Sequence, residues 1–318
     1  MADGHQDTFH HIRDGRFFEL PGFLGGNTAP LPTLQLPMGI ELPLTKFMVL
    51  QVVAGLLVAF IFVGLAWHIR GGRPARGRFW NFWEMLALAI RDQVVRPLIG
   101  IGHHHDEHEV PPHVDGHHPI VAKPGDTCTS HATLDHGAHP ADKYLPYVWT
   151  CFFYILFCNL LGAVPALGSA TGHLSVTVPL ALTTLLVVIA SGATELGFVK
   201  FWKSLVPGMD LPGWIAPPLI GLIWIIEFIG LLVKHVVLAM RLFLNIMGGH
   251  TVIGVILSFI ALAGAADFSI PILYWVITPA SVLGQVAIGM LELFVAFLQA
   301  YVFAFLTTLF IATAVHPH

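Results

Sequence analysis

The residues best suited to chemistry lie in the stretch 240–250, MRLFLNIMGGH, where Arg241 has long apolar segments before and after it. An arginine at membrane depth costs roughly 2.5–3.5 kcal/mol, and such residues usually face a bundle interior, a water-filled cavity or a charged partner. We therefore interpret Arg241 as part of an ion pathway or as the contact for a mobile anion. The alternative is an arginine that snorkels from a helix end to the headgroups. That alternative is disfavoured because apolar residues flank Arg241 for more than one helical turn on both sides.

Other polar residues share the helical face of Arg241. Glu227 precedes it by 14 residues, which at 100° per residue is about 40° around the helix and about 21 Å along its axis. Lys234 lies midway between the two, and Asn245 follows Arg241 by one turn on the same face. His250 comes after a double glycine, so its direction stays open at this point.

A second polar stripe lies near the end of the sequence. Gln285, Glu292 and Gln299 recur every seven residues, a spacing that drifts by only about 20° per step. Glu292 has apolar neighbours on both sides, and a carboxylate in such surroundings is costly unless it is paired, hydrated or protonated. A single buried glutamine would be explained by helix packing, but three polar residues in register favour a functional stripe.

Together these residues suggest proton chemistry. Histidine titrates near pH 6.5, and a carboxyl group can likewise take up and release a proton, whereas arginine cannot give up its proton. A fixed arginine with titratable groups on either side is what two proton half-paths separated by a barrier would need. The sequence contains no Ser-His nucleophile context, no glycine-rich phosphate loop and no HExxH motif.

The composition requires a membrane setting for these groups. Of the 318 residues, 55% are hydrophobic and only 11% are charged, against about 25% charged in soluble domains. No basic stripe suggests a nucleic-acid partner. The N-terminus has no apolar region behind a basic start, so we expect no cleaved signal peptide.

The apolar segments predict an all-α, polytopic membrane protein with about five membrane helices. Two late segments exceed 40 residues, about twice the length of an upright span, so each is either broken, at Gly248–Gly249 or at Pro279, or strongly tilted. A stretch at 79–101 is amphipathic and predicts an interfacial helix. The excess of arginines at 70–96 places that side in the cytoplasm, with the N-terminus outside. The predicted spans are Phe47–Trp67, Tyr147–Val164, Leu174–Phe198, 218–263 and 270–314.

The sequence divides into four parts. Residues 1–45 form an N-terminal extramembrane arm, and 46–102 hold the first membrane helix and the interfacial helix. Residues 103–143 hold ten of the 19 histidines; their Pro, Gly and Asp content favours a solvated, flexible cytoplasmic insertion, while metal binding or pH sensing is the alternative. Residues 144–318 form the membrane core with the helix pair that carries the polar residues.

The stretch RLFLNIMGGH, taken with LELFVAFLQAYVFAFL, resembles subunit a of the F-type ATP synthase membrane sector. Asn159 in NLLGAVP resembles the second-span motif of that family, and the stretch TGHLSVTVPLALTT resembles its third-span motif. The resemblance as a whole covers roughly residues 42–102 and 144–314. Some members place a carboxylate where this chain has Gly162, and the histidine-rich insertion is a further departure. The matched site residues are Arg241, Asn245, His250, Glu292, Gln299 and Glu227.

The resemblance implies two long tilted helices packed against a rotating ring of c subunits, with a b-subunit peripheral stalk and a catalytic head as further partners. It implies an outer proton path through Asn245, His250, Glu292 and Gln299, and release to the cytoplasm near Glu227. Arg241 would hold the deprotonated ring carboxylate and block a leak. This chain would hold no catalytic site, cofactor or metal of its own, and would lie in a bacterial inner membrane with its C-terminus in the cytoplasm.

Two other functions remain as alternatives. A stand-alone proton-coupled transporter would predict internal repeats with broken helices, and Arg241 has no counterpart in residues 47–165. An intramembrane metal enzyme would need histidines at helical spacing beside a span, whereas the histidine tract lies between proline-rich stretches.

Overall fold

The structure is a computed structural model that describes residues 17–19, 28–30, 33–35, 41–43, 45–69, 77–99, 140–164, 169–206, 216–265 and 271–315. Eight α-helices account for most of these residues, which confirms the prediction of an all-α membrane protein. They are α1 (Lys46–Ile69), α2 (Arg78–Ile90), α3 (Arg96–Ile99), α4 (Leu145–Gly162), α5 (Leu174–Leu196), α6 (Phe198–Ser204), α7 (Ala216–Ala265) and α8 (Pro271–Val315).

Short elements complete the described part of the chain. Two antiparallel ladders precede α1, in which β1 (Phe17–Glu19) pairs with β2 (Thr28–Pro30) and β3 (Thr33–Gln35) pairs with β4 (Glu41–Pro43). The sequence pattern did not predict these three-residue strands. A π-helical turn, Arg91–Val95, joins α2 to α3, and 3₁₀ turns at Pro140–Lys143 and Ala170–Gly172 precede α4 and α5. The four-part division of the sequence stays a prediction.

Five of the described helices, α1, α4, α5, α7 and α8, are long and apolar enough to cross a membrane. The helix predicted at 79–101 is present as the run from Arg78 to Ile99. It is not among those five, and its place at the membrane surface stays a prediction. The prediction for α5 ran two residues too far, since Gly197 ends that helix with φ +86°, a conformation that glycine adopts without steric cost.

Neither late segment is broken. The helix α7 is continuous over 50 residues and α8 over 45, so Gly248–Gly249 and Pro279 are not helix ends. At 1.5 Å per residue they are roughly 75 Å and 67 Å long. Their apolar portions, 42 and 41 residues, fit an approximately 30 Å hydrocarbon core only when strongly tilted.

Helix α4 lies at the centre of the core and is the most buried of the spans. It packs between α1 on one side and α8 on the other, while α5 packs against both α7 and α8. Phe62 of α1 meets Phe153 edge to face at 5.2 Å. The indole of Trp149 donates a hydrogen bond to the carbonyl oxygen of Ala87 at 2.9 Å, which ties α4 to α2.

A charged cluster holds the helix ends on the side predicted to be cytoplasmic. The guanidinium of Arg96 donates two hydrogen bonds to the carboxylate of Asp142. Lys143 lies 2.7 Å from Glu195 at the end of α5, and the hydroxyl of Tyr144 donates to the same carboxylate at 3.1 Å. Burial, followed by the bond to the Glu195 carboxylate, raises the pKa of Tyr144 to about 12.

Helices α7 and α8 form the hairpin that carries the polar residues, and their pairing is antiparallel. Gly249 lies beside Glu292, and His235 lies beside Phe310. From the first pair to the second, the residue number falls on α7 and rises on α8. A position on α7 therefore predicts its neighbour on α8. The pairing brings Asn245 of the first polar stripe and Gln299 of the second to one groove.

Candidate functional site

Glu292 packs directly over the glycine pair of α7. A Cβ atom added at Gly249 would lie 2.8 Å from Oε1 and 2.9 Å from Cδ of Glu292, closer than real side-chain carbons come. At Gly248 the same atom would meet nothing within 4 Å. The second glycine is therefore a close-packing position that makes room for a carboxyl group, although a glycine inside a helix costs about 1 kcal/mol relative to alanine.

His250 follows Gly249 directly, and Glu292 packs over Gly249, so two titratable groups belong to this level of the hairpin; we call them the His250–Glu292 pair. Because α7 continues through the glycines, His250 lies nine residues and about half a turn away from Arg241, on the opposite face. Its imidazole lies beside the backbone of Gly162 at the end of α4. Glu292 is 7% exposed.

The His250–Glu292 pair has unmet hydrogen-bonding capacity. Within the described part of the chain, neither Nε2 of His250 nor Oε1 of Glu292 has a hydrogen-bond partner, and both atoms are buried. A buried polar atom without a partner costs about 1–3 kcal/mol. Groups held at such a cost, on facing helices and both able to carry a proton, indicate function better than packing.

A chain of neutral polar groups lies next to this pair. Thr171 Oγ1 donates to Asn159 Oδ1 at 2.9 Å, and Asn159 Nδ2 lies 3.4 Å from the carbonyl oxygen of Ala296 on α8. Ser169 Oγ lies 3.3 Å from Thr171 Oγ1. All three polar side chains are buried, so protein groups must provide their hydrogen-bond partners.

The sequence indicated Asn159 but missed Ser169 and Thr171. The only signal for them was a run of small polar residues in a loop, which is typical of any turn. The structure also explains the departure at Gly162, because a Cβ there would lie 2.6 Å from Ser169 Oγ. The serine hydroxyl therefore fills the space into which a larger side chain at this position would extend.

Arg241 lies at the surface of this chain and not in its interior. Its side chain is exposed on α7 beside a groove of about 530 Å³. No residue that the structure describes makes a hydrogen bond or an ion pair with it. The groove is otherwise mainly apolar, and its lining residues are Val237, Met240, Arg241, Leu244, Asn245, Val295 and Gln299.

The surface around this groove is apolar over both long helices. Met240 and Leu244 on α7 and Leu298 on α8 are all exposed. A permanent positive charge on an apolar surface is costly in a membrane, so the groove has the chemistry of a contact that a second molecule completes with a negative group. Asn245 and the buried Gln299 lie at its edge.

Glu227 lies at a separate cavity of about 350 Å³. Lys234 lines the same cavity, and its Nζ lies 3.8 Å from Oε1 of Glu227, which agrees with the shared face expected from their spacing. Both side chains are about half exposed, so the ion pair contributes at most about 1 kcal/mol. The structure therefore leaves Glu227 accessible from one side of the molecule and keeps it apart from Glu292.

No cluster of three or more His, Cys, Asp or Glu residues arranged to hold a metal occurs among the described residues. The predicted histidine-rich insertion falls at 103–143, of which 103–139 lie outside the described residues, so its metal or pH-sensing role stays a prediction.

Fold and site together define a class: a polytopic α-helical membrane protein whose long helix pair carries separated titratable groups and an arginine that has no partner among the described residues. Comparison with known proteins gives the family. The model of the family described as ATP synthase A chain matches residues 127–312, more than half of the sequence. The chain belongs to the ATP synthase subunit a family.

Similarity to individual relatives extends over nearly the whole chain. ATP synthase subunit a of Myxococcus xanthus is 33% identical over 309 residues, covering 94% of this chain and 79% of the relative. ATP synthase subunit a of Chloroherpeton thalassium is 30% identical, covering 97% and 76%. ATP synthase subunit a 2 of Chlorobium luteolum is 32% identical, covering 98% and 77%.

Proposed function

We propose that this chain is the proton-translocating stator subunit of an F-type ATP synthase, with two half-channels that load and unload carboxylates on a rotating c ring. The observation that carries the proposal is the separation of its polar groups. The His250–Glu292 pair, the exposed Arg241 and the Glu227 cavity occupy three different places along one helix hairpin.

The outer half-channel uses Asn245, His250, Glu292 and Gln299. His250 and Glu292 take up a proton from the outside, and their unmet hydrogen-bonding capacity suits groups that gain and lose protons. Gln299 is two turns beyond Glu292, about 10 Å along α8. It reaches the groove that also holds Asn245, where a ring carboxyl group receives the proton.

Arg241 faces the ring and binds its carboxylate in the deprotonated state. The guanidinium group donates hydrogen bonds but cannot release a proton, so it does not conduct, and its charge repels protons moving directly between the half-channels. This role accounts for an exposed arginine with no partner among the described residues of its own chain: the anion belongs to another subunit.

The cytoplasmic half-channel begins at Glu227. A proton that has travelled around the ring leaves its carboxyl group beyond Arg241 and reaches Glu227 through the cavity shared with Lys234. The carboxylate then releases it to the cytoplasm. ATP itself is made by the catalytic head, and this chain provides the path without an active site of its own.

The proposed setting is a bacterial inner membrane, with the N-terminus outside and the C-terminus in the cytoplasm. The direct partners are the c ring and a b-subunit peripheral stalk. The arginines after α1, together with Lys200 and Lys203 after α5, support this orientation by the positive-inside rule.

The test is Arg241→Ala in inverted membrane vesicles, with the matched control Arg78→Ala, an exposed arginine at the start of α2. We expect Arg241→Ala to abolish ATP-driven proton pumping and to raise passive proton leak, while the control pumps normally. Normal pumping by Arg241→Ala would refute the proposed mechanism. Purification of the chain without a c ring would instead favour the stand-alone transporter.

A further inference from the structure

A third buried titratable side chain lies in the hairpin, and none of the proposed steps uses it. His235 is 3% exposed and lies in the middle of the face that α7 turns toward the core, with Leu231, Leu238 and Leu242. It is six residues before Arg241, which is about 9 Å along the helix and about 120° around it. It therefore does not reach the groove of Arg241.

The hydrogen bonding of His235 fixes the state of its ring. Nδ1 lies 2.8 Å from the carbonyl oxygen of Leu231. A carbonyl oxygen only accepts hydrogen bonds, so Nδ1 carries the proton, and Nε2 of the neutral ring is an acceptor. That Nε2 atom is buried and has no hydrogen-bond partner in the described part of the chain. The ring therefore offers one free, buried site for a proton.

His235 does not itself line the Glu227 cavity, but it lies next to two residues that do. The two residues known to contact its ring, Leu231 and Phe310, both line that cavity. The ring centroids of His235 and Phe310 are 5.1 Å apart, close enough for the aromatic face to stabilise a cation. The hydroxyl of Thr307, one turn before Phe310, is also fully buried and unbonded within the described residues. A polar site thus lies between α7 and α8 just beyond the cavity.

The walls of the cavity leave few groups that can exchange a proton with His235. Among the described residues, the ionisable groups that line it are Glu227 and Lys234, both on α7, and α5, α6 and α8 contribute no ionisable lining group. The remaining lining residues are Val188, Phe201, Ser204, Leu205, Leu231, Phe310, Thr313 and Ala314. Glu227 is eight residues before His235, about 12 Å along the helix axis, with the cavity between them.

We propose that His235 is a further proton-binding residue of the cytoplasmic half-channel. Nε2 accepts a proton that arrives from the ring side, which gives an imidazolium with Nδ1 still bonded to Leu231. The same atom then gives that proton through the cavity to the Glu227 carboxylate, which returns a neutral imidazole and leaves a neutral carboxylic acid. The adjacent Lys234 charge disfavours a long-lived imidazolium, so the proton is passed on. The inference rests on the proposed function of the cavity as a proton path.

The test is the dependence of proton pumping on cytoplasmic-side pH in inverted vesicles that carry the whole complex. We compare His235→Gln and His235→Phe with the matched control His68→Gln, a histidine at the end of α1 outside the core. The wild type and the control should show a titration step at which His235 gains a proton. Both His235 variants should lose that step and pump several-fold more slowly above it, while they still assemble with the ring.

The outcomes separate this inference from the proposed function. If Arg241→Ala is inactive but both His235 variants keep the wild-type pH profile, His235 is not on the path and only this inference fails. A uniform loss of rate at every pH, or failure of both variants to assemble, would assign His235 to packing and also overturn it. If Arg241→Ala pumps normally, the proposed function itself fails.

Discussion

The position of Gly249 beneath Glu292 gives a prediction that separates stability from proton transport. In Gly249→Ala the new Cβ meets Oε1 at 2.8 Å and Cδ at 2.9 Å, so the carboxyl group must move. The clash involves the end of a flexible side chain, and a strained rotamer costs about 0.5–1.5 kcal/mol. Alanine stabilises a helix by about 1 kcal/mol relative to glycine. The two terms nearly cancel, so the stability of the complex should change by less than about 1 kcal/mol.

Proton transport should respond much more strongly. A displacement of about 1 Å at a reacting group can lower a rate about 100-fold, so we expect ATP-driven pumping by Gly249→Ala to fall by about 10- to 100-fold. The control is Gly55→Ala in α1, outside the hairpin, whose new Cβ also meets nothing within 4 Å. That variant should pump at the wild-type rate and be stabilised by up to about 1 kcal/mol.

The assay is ATP-driven acidification of inverted vesicles, with thermal unfolding of the detergent-solubilised complex measured in parallel. Equal, wild-type pumping rates in the two glycine variants would refute the argument, because they would show that the location of the Glu292 carboxyl group does not matter. A large loss of thermal stability confined to Gly249→Ala would instead show that the packing around Glu292 cannot adjust by a side-chain rotation.

Two further predictions concern single groups. Glu292→Gln should slow ATP-driven pumping by about 10- to 100-fold, because His250 remains to carry the proton. This factor is at or below the low end of what a positioned proton-transfer group contributes. Complete loss of pumping, as expected for Arg241→Ala, would show that the carboxyl group is indispensable. Tyr144, with its pKa raised to about 12, favours folding in its neutral form, so stability should be full below the ordinary value near 10 and fall as pH rises toward 12. Tyr144→Phe should lose this alkaline dependence in thermal unfolding measured from pH 9 to 11.5, and an unchanged pH profile would exclude Tyr144 as its source.

The sequence predicted those features that depend on the spacing of polar residues and on the length of apolar segments. The apolar runs indicated all five long helices, and the spacing of Glu227 and Lys234 predicted the shared face on which they pair. Continuity of the long helices was not predictable, because glycine pairs and internal prolines do break helices in other settings. Here Gly249 is needed for contact with another helix, and such contacts are not encoded in local propensity.

The polar groups that sequence reasoning missed share a physical reason. Ser169 and Thr171 belong to the site because the turn before α5 brings their hydroxyl groups to Asn159 of α4. His235 is buried because its face of α7 is turned to the core. Residue type and spacing do not distinguish a histidine on a core face from one beside solvent when a lysine is its neighbour. Only the packing of α5, α7 and α8 does so.

Arg241 has a charge that the described residues of its own chain do not balance. Its type and apolar setting predict a need for an anion, which a fold can supply by burying the side chain beside one of its own carboxylates. The fold instead places Glu227, Glu292 and His250 elsewhere and leaves the guanidinium in an open groove between apolar surfaces. Under the proposed function, a chain that keeps its own carboxylates away from its most costly charge would be suited to bind a carboxylate that arrives and departs. A permanent internal ion pair would compete with that carboxylate and stop the exchange.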